Sequence, residues 1–121
     1  MSLESRMQAA RQEYEDAENS LQKLVTSIQK LNTQQQENLS VKKEFDLLTP
    51  NNTVYKLIGQ VLVRQEQQDA KENVNKRLEF ITEQIKQVES SISAQQEKAE
   101  QKKLELVQLQ TQLQQAQPGP K

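Results

Sequence analysis

Residues 49–69 read TPNNTVYKLIGQVLVRQEQQD, and here the helical repeat that fills the rest of the chain gives way to a period of two. Pro50, Asn51 and Asn52 stop a helix arriving from the N-terminal side, because proline disfavours helical backbone at the residue before it and the asparagines carry turn chemistry. Thr53 to Ile58 and Val61 to Glu66 are strand-length runs rich in β-branched and aromatic residues. Gly59-Gln60 lies between them with glycine at the first central position, as a two-residue type II′ turn requires. The stretch predicts a β-hairpin over residues 53–66. That turn sets the register: Ile58 faces Val61, Leu57 faces Leu62, Lys56 faces Val63, Tyr55 faces Arg64 and Val54 faces Gln65.

This register makes both faces apolar near the turn. A strand buried on one side alternates apolar with polar, and an isolated two-stranded hairpin is only marginally stable in water. The chain offers no further strands. Hairpins from several subunits joining into a sheet or barrel are the simplest way to cover these edges and faces. Val54, Tyr55, Leu57, Ile58, Val61, Leu62 and Val63 are therefore the expected inter-subunit residues. At this point a hairpin folded back on its own helices, covering one face, remains open. Tyr55 opposite Arg64 adds a modest cation–π contact of about 0.5–1 kcal/mol.

Outward from the hairpin, apolar or small residues recur at Leu3, Met7, Ala10, Tyr14, Ala17, Leu21, Leu24, Ile28 and Leu31 with spacings alternating between four and three. This is a heptad seam. It crosses a polar patch at Gln34 and Asn38, with a small slip that locally overwinds a supercoil, and resumes at Val41, Phe45 and Leu48. Helix 1 is expected over residues 3–48. The second seam runs Val74, Leu78, Ile81, Ile85, Val88, Ile92, Gln95, Ala99, Lys102, Leu106, Leu109, Leu113 and Ala116, with only Gln95 and Lys102 off type. Asp69 followed three residues later by Glu72 resembles a capping box, so helix 2 is expected over residues 69–116. Pro118, Gly119 and Pro120 end it and leave residues 117–121 as a disordered tail.

Folded antiparallel, the two seams match in one register: Leu3 with Ala116, Ala10 with Leu109, Leu31 with Val88, Val41 with Leu78, Phe45 with Val74. Ala17 falls opposite Lys102, where a small side chain leaves the lysine room to snorkel. The expected fold class is mainly α: a long antiparallel two-helix coiled coil with a β-hairpin inserted between the helices, the hairpins assembling into an inter-subunit β-barrel. A coiled coil between two chains is the alternative, since a seam alone does not fix strand number.

Composition narrows the function. The 121 residues hold 16 Lys and Arg against 17 Asp and Glu, a net charge of −1, with 33% hydrophobic and 3% aromatic residues. Together with a mean hydropathy of −0.94, that leaves too little apolar area for a round core, and argues for one domain at most. The absence of Cys and His removes thiol and imidazole nucleophiles, His-based triads, the usual zinc sites, haem ligation and disulfides. No enzyme and no cofactor are expected. Near-zero net charge argues against a bulk electrostatic grip on nucleic acid or an anionic membrane. No apolar run suits a secretory leader or a membrane span, and the chain reads as cytoplasmic. Glu13, Glu15, Asp16, Lys98, Lys102 and Lys103 read as a solvated face.

A long helix, one hairpin carrying VYKLIGQVLVRQE, then a second long helix pairing back on the first resembles the β-type subunit of prefoldin over nearly the whole chain, and the Lys76-Arg77-Leu78-Glu79-Phe80-Ile81 stretch adds to the likeness. The chain departs from the family pattern in its plainer tail and in Gln60 after the hairpin glycine. The resemblance implies a single prefoldin-like domain in a jellyfish-shaped hexamer of two α-type and four β-type subunits, with barrels of hairpins and coiled coils hanging as tentacles. It implies an ATP-independent holdase that captures unfolded proteins such as nascent actin and tubulin and passes them to the group II chaperonin of the cytosol. It also places client contacts at the tentacle tips, here the two chain ends. Leu3 and Met7 on helix 1 and Leu106, Leu109 and Leu113 on helix 2 are the client-binding candidates, with Leu104 and Val107 widening the apolar stripe beyond what pairing requires. From a different class, a structural coiled-coil scaffold or tether would use the same arms as a spacer and the hairpin as its docking point.

Overall fold

The structure, a computed structural model, describes residues 2–116. Its elements are α1 (Leu3–Asp46), β1 (Val54–Ile58), β2 (Val61–Gln65) and α2 (Gln67–Ala116). The expected tail, residues 117–121, lies outside the described residues. Neither helix contains a Gly or Pro, so nothing in their interiors interrupts the hydrogen-bond ladder.

Each helix boundary has a local cause. Ser2 caps α1: its Oγ accepts the Ser5 N–H at 3.0 Å and its carbonyl accepts the Arg6 N–H at 3.0 Å. At the other end α1 stops at Asp46 rather than residue 48, because the last turn tightens. The Leu47 and Leu48 amides reach back only three residues, to the carbonyls of Glu44 (3.1 Å) and Phe45 (3.2 Å). A β-turn follows at Thr49-Pro50-Asn51-Asn52, in which the Asn52 N–H donates to the Thr49 carbonyl at 3.0 Å and the Thr49 N–H donates to Asn52 Oδ1 at 2.8 Å. The start of α2 is corrected from Asp69 to Gln67. The Ala70 N–H already bonds the Glu66 carbonyl at 3.0 Å, so Asp69 sits inside the first turn, where its charge complements the helix dipole without capping.

The hairpin register is the expected one, from Val54↔Gln65 at the base to Ile58↔Val61 at the turn. Gly59 has φ +61°, and no non-glycine residue among those described has positive φ. Positive φ at the first central position alone is the type II′ signature.

Close packing divides the chain into two compact units. The first, residues 28–87, holds the hairpin and the helix segments that flank it. Its core is Ala70, Val74, Ile81 and Ile85, against half-buried Ile28, Leu31, Phe45 and Leu78. Phe45 and Val74, paired by the expected register, line one groove. At the polar patch Gln34, Gln35 and Asn38 are all half-buried, and Gln35 Nε2 donates to Thr82 Oγ1 across the helices at 3.4 Å. The second unit joins Met1–Ser27 to Val88–Lys121. Ala10, Ala17, Ala99 and Leu109 are buried in it, and the three alanines let the antiparallel helices approach closely. Every expected seam residue of α2 from Val74 to Leu113 is buried or half-buried, while Ala116 is exposed.

Candidate functional site

The hairpin presents its apolar side chains to solvent. Leu57 is 67% exposed and its cross-strand partner Leu62 is 63% exposed. Tyr55, Ile58, Val61 and Val63 are also exposed, and only Val54 and Gln65, at the base, are half-buried. Alternation puts Val54, Lys56, Ile58, Val61 and Val63 on one face and Tyr55, Leu57, Leu62 and Arg64 on the other. Among the described residues nothing covers either face, so in them the hairpin does not lie back on its own helices to bury one. Full burial of a Leu, Ile or Val side chain is worth about 1.5–3 kcal/mol. Five such side chains here, Leu57, Ile58, Val61, Leu62 and Val63, are left without that gain, and β1 and β2 each keep one unpaired edge.

The hairpin is nevertheless held firmly at its root. Gln67, the first residue of α2, donates from Nε2 to the carbonyls of Thr49 and Asn52, both at 2.7 Å. This strap ties the turn after α1 to the start of α2 and so fixes where the two strands leave the helices. No local pattern in the sequence marks Gln67, since its partners lie 18 and 15 positions away. A groove of about 290 Å³ under the hairpin is lined by Val41, Phe45, Tyr55, Leu57, Val74 and Arg77, among others.

In the other unit the expected client residues divide. Leu3 and Met7 are half-buried, as are Leu106 and Leu113. Met7 and Leu113 line a shallow groove of about 310 Å³ with Glu4, Gln8 and Arg11. Leu109 is only 2% exposed: its heptad position turns it into the helix pair, where it serves packing. The side chains that face solvent on this stretch of α2 are Leu104, 55% exposed, and Val107, 56% exposed.

One off-type seam residue has a specific partner. Lys102 Nζ forms an ion pair with Glu13 Oε2 on the other helix and a second with Glu105 Oε2 at 3.2 Å. The hydrogen bond from Lys102 and its positive charge hold the Glu13 carboxyl below its ordinary range, and the hydrogen bonds to Glu13 and Glu105 raise the Lys102 ammonium. These two residues are thus paired across the helices, not simply solvated. Among the described residues no group of carboxylates is arranged to hold a metal ion, and no helix is long and apolar enough to cross a membrane.

Comparisons with known proteins agree with this geometry. A family model described as Prefoldin subunit matches residues 8–117. Prefoldin subunit 6 of Saccharomyces cerevisiae is 45% identical over 96 residues, 79% of this chain and 84% of that protein. Prefoldin subunit 6 of Bos taurus is 39% identical over 115 residues, 95% of this chain and 89% of that protein. The crystal structure of the prefoldin beta subunit from Thermococcus strain KS-1 superposes with a TM-score of 0.72 over 94% of each chain, at 23% sequence identity, a likeness of fold.

Proposed function

The chain belongs to the prefoldin subunit family, and from that premise we propose that it acts as one β-type subunit of a hetero-hexameric, ATP-independent holdase. In this reading two α-type and further β-type subunits surround it, and the hairpins join through Val54, Tyr55, Leu57, Ile58, Val61, Leu62 and Val63 into an inter-subunit barrel. The complex works in the cytoplasm, holding unfolded proteins such as nascent actin and tubulin and passing them to the group II chaperonin. The observation that carries the reading is the hairpin exposed on both faces. It is strapped in place by Gln67, yet among the described residues nothing covers the Leu57–Leu62 pair.

Client holding needs apolar side chains that remain accessible when the helices are paired. Leu104 and Val107 meet that condition, Leu3, Met7, Leu106 and Leu113 meet it in part, and Leu109 contributes by keeping the helix pair together. Shallow grooves with a flexible methionine accept varied partners, since no shape-specific contact is demanded. The test is reconstitution of the hexamer with its sister subunits, followed by dilution of chemically unfolded actin and measurement of light scattering without nucleotide. Suppressed aggregation, unchanged by ATP, is expected. An assembled hexamer that leaves the aggregation untouched overturns the holdase reading and favours the scaffold or tether.

A further inference from the structure

The groove formed by Gln34, Asn38, Lys76, Arg77, Phe80 and Ile81, about 520 Å³ in volume, lies in the unit that bears the hairpin; Gln34, Asn38 and Ile81 belong to the seam at its floor, while Lys76, Arg77 and Phe80 stand outside the seam. Phe80 forms its apolar wall. It stands off the seam, between seam residues Leu78 and Ile81, and is 65% exposed, on a helix whose outer positions are otherwise mostly polar. Lys76 and Arg77 form the rim one turn away, and among the described residues neither has a carboxylate within ion-pair distance. Gln34 and Asn38 close the far side with polar side chains.

We infer that this groove receives a helix of a neighbouring prefoldin subunit, one that presents an apolar side chain to Phe80 and carboxylates to Lys76 and Arg77. Two features select that occupant. The first is charge complementarity: two unpaired cations beside an exposed aromatic ring suit an acidic, amphipathic segment and disfavour a basic one. The second is continuity with the hairpin surface. Arg77 lines both this groove and the groove under the hairpin that contains Tyr55 and Leu57, so a subunit docked on the hairpin is delivered to Phe80 without a gap. Phe80 is also close enough for such contact, about 20 Å along α2 from its start at Gln67. The inference rests on the proposed assembly and deepens it. It makes the contact between subunits a hairpin-plus-helix surface, with specificity supplied by charge outside the barrel.

The experiment places the photoreactive residue p-benzoylphenylalanine at position 80 of the full chain, which is co-expressed with the complete set of sister subunits, purified as the assembled complex and irradiated without client. The expected product is an adduct between two subunits, mapped by mass spectrometry to an acidic helical segment of the sister chain. Lys76→Glu with Arg77→Glu in the same background is expected to lower the adduct yield at least fivefold while the complex keeps its mass. A complex of normal mass that gives no inter-subunit adduct, or an adduct yield indifferent to both charge reversals, overturns the inference alone. A chain that stays monomeric even with its natural Phe80 and all sister subunits present overturns the assembly reading, and the inference with it.

Discussion

Lys102, at an off-type position of the α2 seam, forms an ion pair with Glu13 of α1, and Glu105 braces the same ammonium one turn along α2. The hydrogen bond and charge of Lys102 lower the Glu13 pKa, so the contribution of Glu13 to stability is present above the ordinary carboxyl value of about 4.3 and is lost as pH falls through the lowered one. Lys102 is raised, so its contribution is present below about 10.4 and is lost as pH rises through the raised value. Between those limits the wild-type chain should melt above Glu13→Gln. The difference should fade as pH falls through the lowered Glu13 value and again as pH rises through the raised Lys102 value, where one partner is discharged. Melting curves across this range check it, and an offset independent of pH would remove the ion pair as its cause.

Leu109 and Leu104 are five positions apart and have opposite fates, one 2% and the other 55% exposed. Leu109→Ala leaves a cavity in the helix pair and should destabilise by about 2–5 kcal/mol. Leu104→Ser together with Val107→Ser touches only solvent-facing side chains, where a change in stability of about 0.5 kcal/mol or less is expected. On the proposed function, the double variant should assemble normally and hold unfolded actin several-fold less well. Thermal melting beside the light-scattering assay separates the two effects. Equal capture by the double variant would move the client surface elsewhere.

These two leucines show what the sequence makes legible. The heptad period already sets Leu109 on the seam and Leu104 off it, but apolar character at the chain end puts both among client-binding candidates, and the packed structure shows that Leu109 is not available for that role. The hairpin register is readable in full because a glycine-first two-residue turn admits a single pairing of the flanking strands. The start of α2 is less so: Asp69 and Glu72 carry the spacing of a capping box, yet the loop brought back by Gln67 lets the helix begin a half-turn earlier. That strap joins residues distant in the chain, which no periodicity reveals. Lys102 signals its own need for a partner by breaking the seam, but Glu13 becomes that partner only once the two helices are in register.

Gln67 makes two short hydrogen bonds from one amide, to the carbonyls of Thr49 and Asn52. Gln67→Ala should cost about 1–2 kcal/mol, since each neutral hydrogen bond contributes roughly 0.5–1.5 kcal/mol net. The loss should be local. Hydrogen exchange at the Asn52 and Val54 amides is expected to speed up about tenfold while that of Ile85 is unchanged. Uniform acceleration along the chain would mean that the strap stabilises the whole fold instead.

Gly59 has φ +61°, and a Cβ added there would meet nothing within 4 Å. Any penalty for Gly59→Ala is therefore one of backbone conformation and not of crowding, about 1–3 kcal/mol for a non-glycine residue in that region. The variant should fray the strands from the turn inward and weaken assembly, and a D-alanine at the same position, introduced by chemical ligation, should restore both. Failure of the D-residue to rescue would point to a side-chain clash in the assembly.

Leu57 and Leu62 face each other across the hairpin with both side chains mostly in solvent, so this chain alone has little to lose from their replacement. Leu57→Lys with Leu62→Glu puts opposite charges on the pair, which supports cross-strand pairing in the free subunit. The circular dichroism and melting temperature of the isolated chain should stay near wild type. In a closed barrel the same two charges would lose their water, at a desolvation penalty of several kcal/mol per ion that their mutual attraction does not fully recover. The variant should be excluded from the complex by a factor on the order of a hundred or more, read by native mass spectrometry after mixing with wild-type chain and sister subunits. Equal incorporation would mean that Leu57 and Leu62 remain wet in the assembly, and a barrel with those side chains inside it would be the wrong structure.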